Sequence, residues 1–284
     1  MKQLLTSKLF LSTALIANVY ASTSSDVVKF LKDGISKNNN IKDLQLKVVS
    51  KEPLENSKIW DAYIIEMSAK AYTPQGVKDI STRNIYFVNG DYITTDLTNM
   101  KTKKNMMSVV TPKFEKSFYK KDNLIYGNAN ATHKVAIFSD PLCPFCVDYV
   151  PEALKYLKKY PKSFAVYYYD FPLTQIHPAS NTIIKAAIVA TTQGVKDVTI
   201  KMYDIFATNL NERETNTQKI LDVFNKKVGS KVTLKDIEQP YVAAHMSSDA
   251  KIASIMMVRG TPSIFFDGVK DNTREAFKKV KVIK

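Results

Sequence analysis

Apolar and polar positions follow two different rhythms along the chain. After a short helical stretch, "DVVKFLKDGI", they alternate with period two through "DLQLKVVS", "WDAYIIEMSA" and "NIYFVNGDYITTDL". Residues two apart share one face of a strand. This rhythm in segments rich in Ile, Tyr and Val, punctuated by "TPQG" and "NGD", therefore predicts an antiparallel sheet of hairpins. Residues 106–126, "MMSVVTPKFEKSFYKKDNLIY", are mixed and charged with Pro112 among them, and read as a linker with some helix. From His133 the texture changes. "HKVAIFS" and "SFAVYYYDF" are continuous apolar runs, as strands buried on both faces should be. A helical segment to about Tyr160 separates them, and a long helical block follows. The turn and strand "RGTPSIFFDG" come next, and the chain closes on a predicted helix, "TREAFKKVKVI". The pattern predicts a mixed α+β and α/β chain: an antiparallel sheet domain over 22–105, a linker over 106–126 and an α/β domain over 127–284.

The first 21 residues stand outside both rhythms. Lys2 and Lys8 flank a positive start, Leu9 to Ala17 form a short apolar run, and small residues surround a cleavage point after Ala21. This is the pattern of a secretory signal, too short to span a bilayer. It predicts export to an oxidising compartment. The chain holds two cysteines in 284 residues, whereas an exported protein stapled by disulfides spaces several of them widely. Stability must then come from packed cores. The net charge of +14 is carried mostly by lysines dispersed along the whole length. That reads as solvated surface, and no nucleic-acid partner is expected.

The two cysteines sit together in "SDPLCPFC". A strand that stops at Ser139 and Asp140 and gives way to a helix puts Cys143 at or near the helix N-terminus. There unsatisfied N–H groups and the helix dipole favour an anion. The thiolate is such an anion, and it is the nucleophile of disulfide exchange. Cys143 is placed to attack a substrate disulfide, and Cys146, one turn on and more buried, to resolve the mixed disulfide. Pro144 stiffens the turn, and Phe145 offers an apolar face to an unfolded polypeptide. A structural disulfide across so short a loop would constrain little. A metal site would need further ligands, and only His133, His177 and His245 remain, without paired spacing. Neither metal nor cofactor is expected. Gly260-Thr261-Pro262, just before the strand "SIFF", is a place where a proline adopts the cis form in a tight turn. Tyr167 to Tyr169 read as strand packing, and Met246, Met256 and Met257 as the core face of a helix.

Together these residues resemble the thioredoxin-fold Dsb proteins of bacterial envelopes. Cys143-Pro144-Phe145-Cys146 fits their active-site motif, Gly260-Thr261-Pro262 fits the cis-proline loop facing it, and Pro151 matches a proline within the active-site helix. "FSDPLCPFC" is similar to the disulfide isomerases DsbC and DsbG, as is the layout of exported sheet, linker and catalytic domain. Ile137 stands where thioredoxin and DsbA carry an acid, and Thr261 where DsbA usually carries valine. "DFPLTQIHPAS" and "KMYDIFATNLN" resemble DsbA-like segments leading into and within a helical insertion, whereas DsbA usually has histidine inside its CxxC and this chain has Phe145.

The resemblance implies a cystatin-like dimerisation domain before the linker and a thioredoxin-fold catalytic domain with a helical insertion after it. It implies a periplasmic homodimer with Cys143 and Cys146 catalytic and Pro144, Phe145, Thr261 and Pro262 binding substrate. Such a protein acts as a thiol–disulfide isomerase or reductase on unfolded or misoxidised exported proteins. A membrane partner sets its redox state: a DsbD-like reductase, or a DsbB-like oxidase if the protein is instead a dimeric thiol oxidase. A periplasmic holdase with a secondary redox site is the alternative of another class.

Overall fold

The Thr23 side chain accepts the backbone N–H of Asp26, and the Asp26 carboxylate accepts the N–H of Thr23. This reciprocal cap starts α1 (Ser24–Ile35). The structure, a computed structural model, describes residues 22–283 apart from 55, 56, 58 and 75. The expected secretory signal lies outside the described residues.

Val27 and Leu31, one turn apart on α1, pack onto an antiparallel sheet of β1 (Ile41–Pro53), β2 (Asp61–Thr73), β3 (Gly76–Asn89) and β4 (Tyr92–Thr94), which lie side by side in chain order. The alternation sorts the strands' side chains. Tyr63, Ile65 and Val88 face α1, while Ala62, Ile64, Ile85 and Phe87 meet Met106, Met107 and Val110 on the other face. Both faces are covered, so β2 is buried from Ala62 to Ile65.

The stretch read as a linker is packed structure. A short ribbon of β5 (Thr98–Asn99) and β6 (Lys104–Asn105) leads into three single 3-10 turns and then β7 (Leu124–Tyr126). Phe114 is buried against the rings of Phe118, Tyr119, Phe138, Tyr169 and Phe265. Chain that precedes residue 127 thus contributes both a strand and a core aromatic to the second half of the molecule.

That half is built on a sheet in the order β11-β10-β8-β9-β7, where β8 is His133–Ser139, β9 Phe164–Asp170, β10 Ser263–Phe266 and β11 Val269–Lys270. β8 and β9 run parallel, joined over α2 (Pro144–Lys158), and the other pairs are antiparallel. Ile137 and Tyr168 project to one face, toward α2, α3 (Ala179–Thr192) and α5 (Thr217–Val228); Phe138 and Tyr169 project to the other, toward Phe114 and α7 (Pro240–Ile255). Short helices α4 (Val198–Lys201) and α6 (Leu234–Ile237) complete the helical block between β9 and β10.

The closing helix expected over "TREAFKKVKVI" does not form, apart from one 3-10 turn at Ala276–Lys278. The Asp271 carboxylate accepts the N–H groups of Thr273 and Ala276, and Arg274 takes a left-handed backbone, φ 60°. A side chain that captures backbone donors in this way competes with helix. The tail instead lies along the core: Phe277 is buried, Val280 and Val282 pack against it, and the Ile283 N–H donates to Ser163 Oγ.

The two halves touch along β3. Ser254 at the end of α7 donates to the Ser81 carbonyl, and the buried Arg83 guanidinium bridges Glu66 at 2.9 Å and Glu115 at 3.1 Å. Beyond α7, Met256 enters the core beneath the second sheet, and the next residue, Met257 (φ 54°), enters the core of the first.

Candidate active site

β8 delivers the apolar run Val135 to Phe138 to the centre of the sheet and ends on Ser139; Asp140 follows, and both are fully buried. Asp140 is held on three sides. One carboxylate oxygen accepts Leu142 N–H and Ser180 Oγ–H, and the other accepts Leu173 N–H, each at 2.7 Å. His177 Nδ1 lies 3.4 Å from that second oxygen. These bonds pin the loop that turns from strand to helix, and the Asp140 carbonyl accepts the Cys143 N–H at 3.3 Å.

Cys143 is the N-cap of α2, with Pro144 in the first turn, where its missing N–H leaves no donor orphaned. The Cys143 carbonyl accepts the N–H groups of Cys146 and Val147, and the helix continues through Pro151. Cys143 is 5% exposed, Cys146 is 0% exposed, and Phe145 between them stands out at 70%. The two thiols are free. Opposite them the Thr261–Pro262 peptide bond is cis, and the Cys143 thiol donates to the Thr261 carbonyl at 3.8 Å. The structure therefore brings Cys143 against the Thr261–Pro262 loop, with Thr261 118 residues away along the chain. A cavity of about 290 Å³ runs beside that loop, walled by Arg259, Lys270 and Arg274.

The sequence profile of the family described as Thioredoxin matches residues 119–283, more than half of the chain. The chain belongs to the thioredoxin family. Solved structures of low sequence identity are similar to part of the chain. A thioredoxin-like oxidoreductase from Silicibacter pomeroyi DSS-3 is 22% identical, with a TM-score of 0.45 over 54% of this chain and 84% of that one. Oxidised BdbD from Bacillus subtilis is 16% identical, with a TM-score of 0.47 over 60% of this chain and 92% of that one. The thiol-disulfide exchange protein alpha-DsbA2 from Wolbachia pipientis is 17% identical, with a TM-score of 0.45 over 57% and 87%. No curated protein matches the chain.

Around this thioredoxin-family site lie buried polar groups that the sequence reading did not single out. The Ser139 hydroxyl faces the Cys146 sulfur and is bonded to Tyr203 OH at 2.6 Å, which is bonded in turn to Tyr168 OH at 2.8 Å. The Thr261 hydroxyl also faces Cys146 but is aligned for no hydrogen bond. Burial pushes the Cys146 thiol up to about 12; the Asp140 backbone and the Ser139 and Thr261 hydroxyls offset part of this, and Cys143 nearby adds to it. Asp170, in register with Ser139 at the end of β9, is also buried. Its backbone N–H donates to Asp249 Oδ2, and Asp249 Oδ1 accepts from the Asn123 amide. A faint signal of this cluster exists in the sequence: "IFSD" and "YYYDF" each end an apolar run on a carboxylate at the same edge of the sheet.

The three histidines are dispersed among carboxylates. His133 pairs with Asp267, 134 residues further along the chain, at 2.7 Å, His177 with Asp140, and His245 with Asp249 at 3.5 Å. Burial disfavours the His245 cation, but the hydrogen bond and charge of Asp249, with Asp170 behind it, outweigh that and raise its pKa. Asp170, His245 and Asp249 form the one group among the described residues with several potential metal-binding atoms close together. Both Asp249 oxygens accept hydrogen bonds from the protein. Of the methionines read as core, Met256 is buried in the core beneath the second sheet and Met257 packs against that of the first. Among the described residues, no helix is long and apolar enough to cross a membrane.

Burial, and then the Asp249 charge, hold the Asp170 carboxyl well above the usual carboxylate range. Its folded-state pKa exceeds the unfolded value of about 3.8, so folding favours the neutral acid. The stability this supplies is present below that value and is lost as the pH rises. Asp170→Asn, which cannot ionise, is therefore expected to unfold in urea at or above the wild-type midpoint at neutral pH. The advantage should vanish in acid, which urea titrations of both proteins across the pH range would check.

Proposed function

We propose that this protein is a thiol–disulfide oxidoreductase of exported proteins, working in the periplasm as an isomerase or reductase. The observation that carries the reading is Cys143 at the N-cap of α2, its thiol against the Thr261 carbonyl, with Cys146 beneath it. A nucleophile at the positive end of a helix, a buried resolving thiol within one turn, and a peptide carbonyl presented opposite are the components of disulfide exchange. In this reading Cys143 attacks the client disulfide and Cys146 resolves the mixed disulfide. Phe145, Thr261 and Pro262 hold the client chain, and Pro144 fixes the turn. Phe145, largely exposed, gives an apolar contact suited to unfolded or misoxidised polypeptide.

The sheet of 22–105 serves as a dimerisation domain, so that two sites act on one client with an avidity that neither has alone. A membrane partner, a DsbD-like reductase, keeps the thiols reduced. Two measurements test the reading. The purified chain is expected to accelerate insulin precipitation by dithiothreitol and to reactivate scrambled ribonuclease; no acceleration of either sinks it. Acid trapping and alkylation of the protein in cells is expected to find Cys143 and Cys146 mostly as thiols; mostly disulfide would assign it instead as a thiol oxidase served by a DsbB-like partner.

A further inference from the structure

Resolution of a mixed disulfide needs the thiolate of Cys146, because the thiol itself is a poor nucleophile. Yet this sulfur has no exposed surface, and its pKa is pushed up by burial. The proton must leave through the protein. The side chains that face the sulfur are hydroxyls, and one of them, Ser139, begins a continuous chain: Ser139 Oγ to Tyr203 OH, 2.6 Å, and Tyr203 OH to Tyr168 OH, 2.8 Å. Tyr168 lies two residues before Asp170 on β9, so both project to the same face, and both wall a cavity of about 680 Å³ that also reaches His245. That cavity shares no lining residue with the one beside the Thr261–Pro262 loop.

We propose that the Cys146 proton leaves through Ser139, Tyr203 and Tyr168 to the Asp170 side of this cavity, so that substrate and proton use separate openings. The inference rests on the thiol–disulfide exchange reading. In the step, the Cys146 sulfur attacks Cys143 of the mixed disulfide. The Cys143–Cys146 bond forms, the bond from Cys143 to the client sulfur breaks, and the client sulfur departs as a thiolate with the electron pair. Over both steps, two electrons pass from the cysteine pair to the client disulfide. Cys146 gives its proton to Ser139 as Ser139 passes its own to Tyr203, Tyr203 to Tyr168, and Tyr168, by way of water in the cavity, to the Asp170 carboxylate. Client thiolate regains a proton from solvent. Burial holds both phenols well above the usual tyrosine range, so neither has to ionise: each hands on one proton while receiving another.

The acceptor end is built to take a proton. Asp170 faces Asp249 and His245 from α7 and Asp140 from the loop before α2, with the Tyr168 and Tyr203 hydroxyls inside; Lys120, Lys121 and Asp122 stand at the cavity wall. Burial and the neighbouring Asp249 charge make its carboxylate a better base than a surface one. Ser139 faces the reacting thiol; Tyr203, Tyr168 and Asp170 act through it.

Reaction of the reduced full chain with 5,5′-dithiobis(2-nitrobenzoate), followed by stopped-flow absorbance, separates the two steps. The first release of coloured thiolate marks attack by Cys143, and the second marks closure by Cys146. In Tyr203→Phe and Asp170→Asn the first phase should stay within about twofold of wild type. The second should slow by about tenfold or more at neutral pH, in the range expected of lost general-base assistance, and recover toward wild type in alkali as hydroxide takes over. A second phase at the wild-type rate in both variants overturns the relay, and so does a slowing that is the same at every pH. Absence of a first phase in wild type overturns the exchange reading itself. If Tyr203→Phe unfolds, Asp170→Asn, expected to fold as stably as wild type, decides the question alone.

Discussion

Cys143→Ala is expected to bring catalysed insulin reduction and ribonuclease reactivation down to the uncatalysed background. Cys143 is the thiol that meets the Thr261 carbonyl and borders the exposed Phe145, and no other described thiol can substitute, since Cys146 has no exposed surface and a pKa near 12. The two cysteines should fail differently. On the proposed roles, Cys146→Ala keeps the attacking thiol and loses the resolving one, so it should accumulate client adducts that run as higher bands on a non-reducing gel and vanish with reductant. Cys143→Ala should show none. Adducts of equal abundance in the two variants would mean that the roles are not divided between the thiols in this way. The effect on folding should be small, because alanine at this N-cap removes no side-chain capping bond.

Gly127→Ala should be the most destabilising single methyl group in the second half of the molecule. Gly127 follows β7 with φ +78°, and a Cβ there would lie 1.8 Å from the Phe164 carbonyl oxygen and 3.0 Å from its carbon. Both atoms belong to the backbone at the start of β9, where Phe164 pairs with His133, so neither can rotate away as a side chain would. A left-handed backbone at a residue with a side chain costs on the order of 1–3 kcal/mol, and the clash must be relieved by moving a central strand. The expected loss is about 3–5 kcal/mol, read as a fall in the urea midpoint with little change in slope. A loss below about 1 kcal/mol would show that this turn can rearrange freely.

The sequence displays some of this architecture plainly and conceals the rest for definable reasons. Period-two alternation exposes the hairpins of β1 to β4 because each strand sorts its side chains between two covered faces. The thiols are visible because they are the chain's two cysteines and follow an apolar run. What fails is whatever depends on a single side chain taking backbone donors: Asp271 captures the N–H groups of Thr273 and Ala276 and cancels a helix that composition alone favours. The stretch before residue 127 reads as linker because its charges hide Phe114, one apolar residue at the centre of five rings. The polar cluster is the least legible. Asn123 meets Asp249 across 126 residues, and Ser139 meets Tyr203 across 64. Nothing in local spacing announces a contact that only the packing of elements distant in the chain creates.

Met257 links two processes that a two-domain description would treat as independent. It packs against the core of the first sheet, and four positions later the chain presents the Thr261 carbonyl to Cys143. Any fluctuation that opens that core far enough to release the methionine also frees one end of the loop on which a client would dock. The protection of the loop's amides against hydrogen exchange is then bounded by the opening free energy of a sheet that holds none of the chemistry. By reciprocity, a client that orders the loop steadies the remote sheet by the same amount of free energy.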